Sequence, residues 1–130
     1  MDVNFINNSE KVLAEFKQKV NQALSAVGES VEGHAKDNCP VDTGRLRASI
    51  GYNVQNEELF VGTNVEYAPY VEYGTGIYAE EGGRGTPWGY QDEKGEWHYT
   101  HGQKPTHFLR NTQAHSREYE NIIETILKKV

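Results

Sequence analysis

The tripeptide Asp42-Thr43-Gly44 is the signature that carries the catalytic carboxylate of aspartic proteases. In a homodimeric protease of this size, two such carboxylates would share a proton, each on a loop that follows a hydrophobic strand. Here the tripeptide follows a long helical pattern and Pro40, and a charged helical turn comes after it. Because the all-β pattern of such proteases is absent, we expect Asp42 or Thr43 to cap that helical turn instead.

Metal binding is the second candidate chemistry. Three histidines lie close together in the chain: His98, His101 and His107. Zinc sites are typically built from short, regular pairs of ligands. Spacings of three and six residues in a glycine-rich segment, far from the single Cys39, match that pattern poorly, so we interpret these residues as surface histidines. His34 and His115 have no patterned carboxylate or thiol partner, and a nucleophilic triad is therefore unsupported.

These patterns indicate a protein that is not an enzyme and that needs no cofactor. The alternative from another class is a small metal-dependent or aspartyl hydrolase. Its chemistry would depend on Asp42 or on the three histidines named above.

Size and charge restrict the remaining functions. The 130 residues fit one domain, since domains most often contain about 100–150 residues. No apolar run approaches the ~20 residues of a membrane span, and the N-terminus lacks the apolar region of a signal peptide. The 13 basic and 19 acidic residues give a net charge of −6, which disfavours non-specific binding to duplex DNA. We therefore expect neither a membrane partner nor a DNA-reading surface.

The first third of the chain has the periodicity of a long helix. We expect Ser9 to be its N-cap and the helix to end near Asp37, before Pro40. Its apolar stripe, which should be the buried face, consists of Val12, Leu13, Phe16, Val20, Leu24, Val27 and Val31. Gly28 and Gly33 weaken the second half of this helix.

After the charged turn the period changes to two, which is typical of a half-buried hairpin. The alternating apolar residues are Ile50, Tyr52 and Val54 before the turn at 56–58, and Leu59 and Val61 after it. Residues 64–74 predict a short helix with Pro69 in its first turn and Gly74 at its end. Residues 105–130 predict a last amphipathic helix. The fold class we predict is α+β: a long N-terminal helix, a small antiparallel sheet, a short helix, an extended aromatic hairpin loop and a C-terminal helix.

The segment 76–104 is unusual because it holds 7 of the 13 glycines and both tryptophans. A structureless loop of that length is uncommon inside a domain. With a four-residue turn at 92–95, Tyr90 lies opposite Trp97 and Trp88 lies opposite Tyr99. All four aromatic rings then share one face, which should pack on this domain or on a neighbouring molecule.

Three segments, residues 40–50, 61–75 and 105–109, together resemble the minor structural proteins of long-tailed bacteriophages and prophages. That family is described as tail-completion, tail-component or head–tail joining protein, and sometimes as minor capsid protein. The resemblance implies a virion protein, made in the bacterial host cytoplasm, that forms a ring at the neck or upper tail. The ring would join the head connector to tail proteins while DNA passes through without specific binding. A tail terminator or a minor capsid protein of the same particle is the nearest alternative.

The resemblance also implies roles for individual residues within one domain, 1–130, that carries an insertion at about 76–104. Asp42, Thr43 and Gly44 would hold the corner between helix and strand, together with Pro40, Arg45 and Leu46. The short helix before the insertion would be built by Tyr67, Pro69, Tyr70, Val71, Glu72 and Gly74. Phe108 and Leu109 would anchor the last helix in the core. We expect the interface with other subunits or partners to consist of Tyr78, Trp88, Tyr90, Trp97 and Tyr99.

Overall fold

The structure, a computed structural model, describes residues 3–40, 44–80, 82–92 and 94–128, with side chains from residue 9 onward. The elements in chain order are α1 (Val3–Asn38), α2 (Arg45–Ser49), β1 (Gly51–Gln55), β2 (Glu58–Gly62), α3 (Ala68–Tyr73), β3 (Trp88–Gln91), β4 (Trp97–Thr100) and α4 (Ser116–Leu127). Two 3-10 turns, Gly76–Tyr78 and Arg110–His115, complete the backbone. β1–β2 and β3–β4 form two separate antiparallel sheets. The predicted α+β class is confirmed.

The chain divides into two compact units. The first comprises Met1–His34, Gly51–Gly62 and Ala114–Val130, and the second comprises Ala35–Ile50 and Thr63–Gln113. The first unit therefore holds most of α1, the β1–β2 hairpin and α4. The second unit holds α2, α3 and the insertion.

α1 is longer than its sequence pattern predicts. It begins at Val3 and not after an N-cap at Ser9, and it continues without interruption through Gly28 and Gly33. Its apolar stripe is buried only in part. Ala23 and Val27 are buried, whereas residues 9–18 are exposed on every side, including Val12, Leu13 and Phe16. The prediction that the whole stripe is a buried face is wrong. The contacts described between α1 and the β1–β2 hairpin lie at Gly28 and Glu29, in the second half of the helix, and Val12, Leu13 and Phe16 are exposed.

The β1–β2 hairpin confirms the predicted alternation. Tyr52 pairs with Val61 and Val54 with Leu59, and all four are half-buried. The turn has two residues and not three. Both of its residues, Asn56 and Glu57, have positive φ (51° and 59°), as in a type I′ turn whose twist matches that of the strands.

The second unit has a core of small and medium apolar side chains around one aromatic ring. Phe108 is completely buried, and the other buried apolar residues are Ala35, Cys39, Leu46, Ile50, Val65, Ala68 and Val71. α3 has Pro69 in its first turn and ends at Gly74, as predicted. Its inward face consists of Ala68, Val71 and Glu72, whereas Tyr70 is exposed.

The last helix begins later than predicted. α4 starts at Ser116, and a 3-10 turn over Arg110–His115 precedes it. Proline is tolerated in a first helical turn, so Pro105 alone would not prevent a helix. His107 has a φ of 51°, outside the right-handed helical region, so residues 105–109 do not form the first turn of the helix. The apolar residues of α4 are half-buried: Tyr119, Ile122, Ile123, Ile126 and Leu127. Residues 129 and 130 of the predicted helix lie outside the described residues. Within the described residues, none of the helices is both long and apolar enough to span a bilayer.

Gly28 and Gly33 allow a matched test of the contact between α1 and the first hairpin. A Cβ at Gly28 would lie 2.5 Å from Tyr52 Cδ2 and 2.9 Å from Leu59 Cδ1, whereas a Cβ at Gly33 would meet nothing within 4 Å. We expect Gly28→Ala to lower the free energy of unfolding by about 1–3 kcal/mol through overpacking. Gly33→Ala should raise it by about 0.5–1 kcal/mol through helix propensity. Urea denaturation measures both, and equal effects would contradict the packing.

Candidate functional site

The insertion is closed at its base by close backbone contact between residues 74–77 and 101–103. The N–H of Thr75 donates to Gln103 O at 2.9 Å, and the N–H of Ile77 donates to His101 O at 3.0 Å. Gly76 has a φ of +62°, and a Cβ there would lie 1.9 Å from His101 O. Only glycine fits at this position, since any side chain would meet backbone and would also strain φ.

A buried carboxylate ties the end of α3 to the chain beyond the insertion. Glu72 accepts hydrogen bonds from the N–H of Leu109 at 3.1 Å and from the N–H of Arg110 at 2.8 Å. Its own backbone O accepts from the N–H of His107 at 3.2 Å. Glu72 and the completely buried Phe108 thus fix the segment on both sides, and Leu109 is half-buried beside them.

An ion pair reinforces this anchor. Both Nη atoms of Arg110 donate to the carboxylate of Glu80, at 3.0 and 3.1 Å, and the same carboxylate lies 3.0 Å from His107 Nε2. The hydrogen bonds from Arg110 hold the pKa of Glu80 below its usual value. Two-pronged contacts of this kind fix geometry better than single exposed ion pairs do.

The predicted hairpin exists in the insertion, but its predicted register is wrong. Trp88 pairs with Thr100, Tyr90 with His98 and Gln91 with Trp97. The turn has five residues because Asp92 organises it: its Oδ1 accepts from the N–H groups of residues 94 and 96, both at 2.9 Å. The extra turn residue moves β4 by one position, which transfers its aromatic rings to the other face.

The four aromatic residues of β3 and β4 consequently lie on two faces. Trp97 and Tyr99 share a face with Gly89 and are 70% and 86% exposed, the highest values among the large apolar side chains described. On the other face, Tyr90 stacks on His98 with ring centroids 5.4 Å apart. The Arg84 guanidinium lies 5.6 Å from the Trp88 ring. Of the residues predicted for the interface, Trp97 and Tyr99 are the most exposed. Tyr90 and Tyr78 are 46% and 40% exposed, and Lys104 Nζ lies 5.8 Å from the centre of the Tyr78 ring.

The corner after α1 is described only from Gly44 onward, because Asp42 and Thr43 lie outside the described residues. Gly44 is the N-cap position of α2, with a φ of 76°. Arg45 forms a two-pronged contact with the Glu66 carboxylate, at 3.2 and 3.0 Å, and its guanidinium lies 5.6 Å from the Tyr67 ring. Leu46 is buried. These contacts join the first predicted segment to the second.

The histidines of the hydrolase alternative do not come together. Among the described residues, the groups of three side chains whose possible ligand atoms lie within 4.8 Å of one another are His34-His115-Glu118 and Asp92-Glu96-His98. His98 is hydrogen-bonded to Asp92 at 2.6 Å, and His107 lies against Glu80. Cys39 is buried, and the loss of solvent raises the pKa of its thiol. Within the described residues, neither of these clusters contains more than one of His98, His101 and His107.

Sequence reasoning missed two sets of exposed apolar residues. One is the first half of the α1 stripe, Val12, Leu13 and Phe16, which was assigned to the core. The other lies at the insertion base, where Tyr73 and Ile77 are exposed. The amphipathic pattern of α1 was visible in the sequence, but a pattern does not show whether a partner within the chain covers it.

The fold and this surface define a class: a small α+β protein that presents large aromatic side chains to solvent, a feature that is typical of surfaces that bind other proteins. The comparison with known families makes the class specific. The family model described as "Bacteriophage HK97-gp10, putative tail-component" matches residues 4–74, more than half of the 130-residue chain. The chain belongs to this family of phage tail components, and the predicted resemblance is confirmed. No significant match was found among curated proteins or among solved structures.

Gly76 and Gly85 provide a matched test of the insertion base. A Cβ at Gly85 would meet nothing within 4 Å, in contrast to the backbone clash at Gly76. We expect Gly76→Ala to cost about 2 kcal/mol or more of unfolding free energy, while Gly85→Ala stays within about 0.5 kcal/mol of the original chain. Thermal unfolding measures the stability of both variants, and hydrogen exchange of the backbone amides of residues 75, 77 and 103 reports on the hydrogen bonds at the base of the insertion. Similar stability of both variants would contradict the closed base.

The Glu80–Arg110 contact makes a prediction about pH. Because the folded pKa of Glu80 is lowered, its contribution to stability is present above the unfolded pKa and is lost as the pH falls through the folded pKa. Arg110→Gln should return the pKa of Glu80 toward its ordinary value and remove that part of the acid dependence. NMR titration of the Glu80 carboxyl measures the shift, with Arg84→Gln as the control. An unchanged titration in Arg110→Gln would contradict the contact.

Proposed function

We propose that this chain is a ring subunit of the phage neck or upper tail, where it joins the head connector to the tail and completes the tail. The match to a family of phage tail components carries the proposal. The exposed aromatic face of the insertion supports it, since Trp and Tyr are enriched where subunits bury one another's surfaces.

The oligomeric form of the proposal is supported by exposed apolar residues in each of the two units. In the first unit these are in the first half of the α1 stripe, and in the second unit they are Trp97 and Tyr99 of the insertion. A ring is built from heterologous contacts, in which one surface of a subunit binds a different surface of the next. Such contacts would bury exposed apolar residues of this kind.

The charge balance fits a channel through which DNA slides. The net charge of −6 would repel phosphates, whereas a DNA-binding ring would need several cations to neutralise them. Passage without specific binding is the DNA contact we propose for the lumen.

The domain organisation we propose is one assembly domain over residues 1–130, with residues 76–104 inserted. The family match ends at residue 74, close to where the backbone contacts close the insertion base. The residues outside the insertion would then hold the subunit in the virion, and the insertion would contact a neighbouring phage protein.

Deletion of the gene from its phage tests this function. We expect DNA-filled heads that lack functional tails, or tails that do not join, in electron micrographs. Tails of abnormal length would instead indicate a tail terminator, and defective heads a minor capsid protein. Normal infectious particles would overturn the proposal. Complementation with the original gene is the control.

The aromatic face makes a second test. We expect Trp97→Ala with Tyr99→Ala to weaken assembly by about 2 kcal/mol or more while the helical signal of the free subunit is retained. Phe60→Ala is the matched control, because Phe60 is also an exposed aromatic residue but lies on β2. Light scattering over a range of concentrations, and incorporation into particles, measure both. If the double variant assembles as the original chain does, Trp97 and Tyr99 are not part of the interface between subunits.

A further inference from the structure

Two histidines and a carboxylate from distant parts of the chain meet in the first unit. His34 lies near the end of α1, His115 immediately precedes α4, and Glu118 lies in the first turn of α4. One donor atom of each lies within 4.8 Å of the others. Since 84 residues separate His34 from Glu118, the fold and not local sequence creates this cluster.

The distances between the nitrogen and oxygen atoms of this cluster are close to those between the ligand atoms of a bound metal ion. His34 Nε2 lies 2.8 Å from Glu118 Oε2, and His115 Nδ1 lies 3.8 Å from the same oxygen. Tetrahedral zinc, with bonds of about 2.0–2.1 Å, separates its donor atoms by about 3.3 Å. For such an ion to bind, the first distance would have to lengthen and the second would have to shorten, each by about 0.5 Å.

The carboxylate is held by a further residue in the way that metal ligands are. Ser30 Oγ donates a hydrogen bond of 2.7 Å to Glu118 Oε1, the oxygen that does not face the histidines. Hydrogen bonds of this kind orient a ligand and leave its other oxygen available. The hydrogen bonds from Ser30 and His34 lower the pKa of Glu118, so the carboxylate is ionised at neutral pH.

The other cluster, Asp92-Glu96-His98, differs in its ligand types. Its Asp92 is also held by hydrogen bonds, from two N–H groups of its own turn to Oδ1, and its Oδ2 lies 2.6 Å from His98. It supplies one imidazole and two carboxylates, whereas the cluster of the first unit supplies two imidazoles and one carboxylate. Imidazole nitrogen favours borderline cations such as Zn²⁺ over Mg²⁺ or Ca²⁺, which prefer oxygen. The hairpin turn is therefore the natural control for the cluster of the first unit.

We propose that His34, His115 and Glu118 form a Zn²⁺ site, with Ser30 as a positioning residue. The ion would join α1 to the start of α4, and a fourth position would stay open to water or to a donor from another molecule. Binding is therefore expected to stabilise the folded chain, because the unfolded chain does not bring the three ligands together.

Metal binding requires one ring to move. The two imidazoles are stacked, with centroids 3.5 Å apart and planes within 4°. An ion bound to an imidazole lies in the plane of that ring, so two parallel rings cannot both direct a nitrogen lone pair at one ion. His115, whose side chain is 42% exposed against 23% for His34, is the ring with room to rotate. Zinc binding thus opens the stack.

Calorimetric titration of the full chain with Zn²⁺, without a polyhistidine tag, tests the site. At about pH 7.5 we expect one ion per chain at micromolar or tighter affinity, with weaker binding at acidic pH, because a metal ion binds only deprotonated ligands. The unfolding temperature should rise by on the order of 5–10 °C when the free Zn²⁺ concentration is about a hundred times the dissociation constant. The ring resonances of His34 and His115 should shift together.

Variants decide which residues bind. His115→Ala and Glu118→Gln should each weaken binding at least tenfold, and Ser30→Ala, which keeps all three ligands, by about 10–100-fold. His98→Ala should bind as the original chain does. Circular dichroism without zinc checks that each variant is folded. The proposal is overturned if the original chain binds no zinc, if His115→Ala binds equally well, or if His98→Ala loses binding to the same degree.

Discussion

The second unit depends on the buried carboxylate of Glu72. It accepts N–H groups from residues 37 and 38 positions further along the chain, and it lies beside the completely buried Phe108. Closing so long a segment costs chain entropy, and partly buried N–H groups cost more if they remain unpaired. One carboxylate on α3 offsets both costs. A sequence that places Glu72 on the inward face of a helix would otherwise carry a buried charge without a partner.

The backbone contacts at the base of the insertion separate a part held by hydrogen bonds from a hairpin with exposed aromatic side chains. Gly76 allows residues 74–77 and 101–103 to come into backbone contact. The ion pair between Glu80 and Arg110 holds the start of the insertion. Beyond it, Trp97 and Tyr99 are exposed on a hairpin whose turn is organised by Asp92. Aromatic rings on a short, hydrogen-bonded hairpin lose less freedom on binding than rings on an unstructured loop. The family match ends at residue 74, before this insertion.

The sequence predicted the helices and strands more reliably than the pairing and packing between them. The alternation around Tyr52 and Val61, the short helix that ends at Gly74 and the hairpin in the insertion are all present. The hairpin register could not be read from alternation, because Asp92 adds one turn residue through its own hydrogen bonds. A local interaction of one side chain with backbone therefore decided which aromatic rings share a face.

The candidate surfaces show the same division. Periodicity determined that α1 is an amphipathic helix and that the insertion is rich in aromatic hairpin residues, since both follow from the spacing of side chains along one element. The resemblance to phage tail components was likewise carried by residues 40–50, 61–75 and 105–109. The first two segments lie largely within the matched range, and the third lies beyond it. Only the tertiary structure decided that Val12 and Phe16 are uncovered, that Glu72 is buried, and that His34, His115 and Glu118 meet. These features depend on which distant residues the folded chain brings together, and spacing along the sequence carries no information about that.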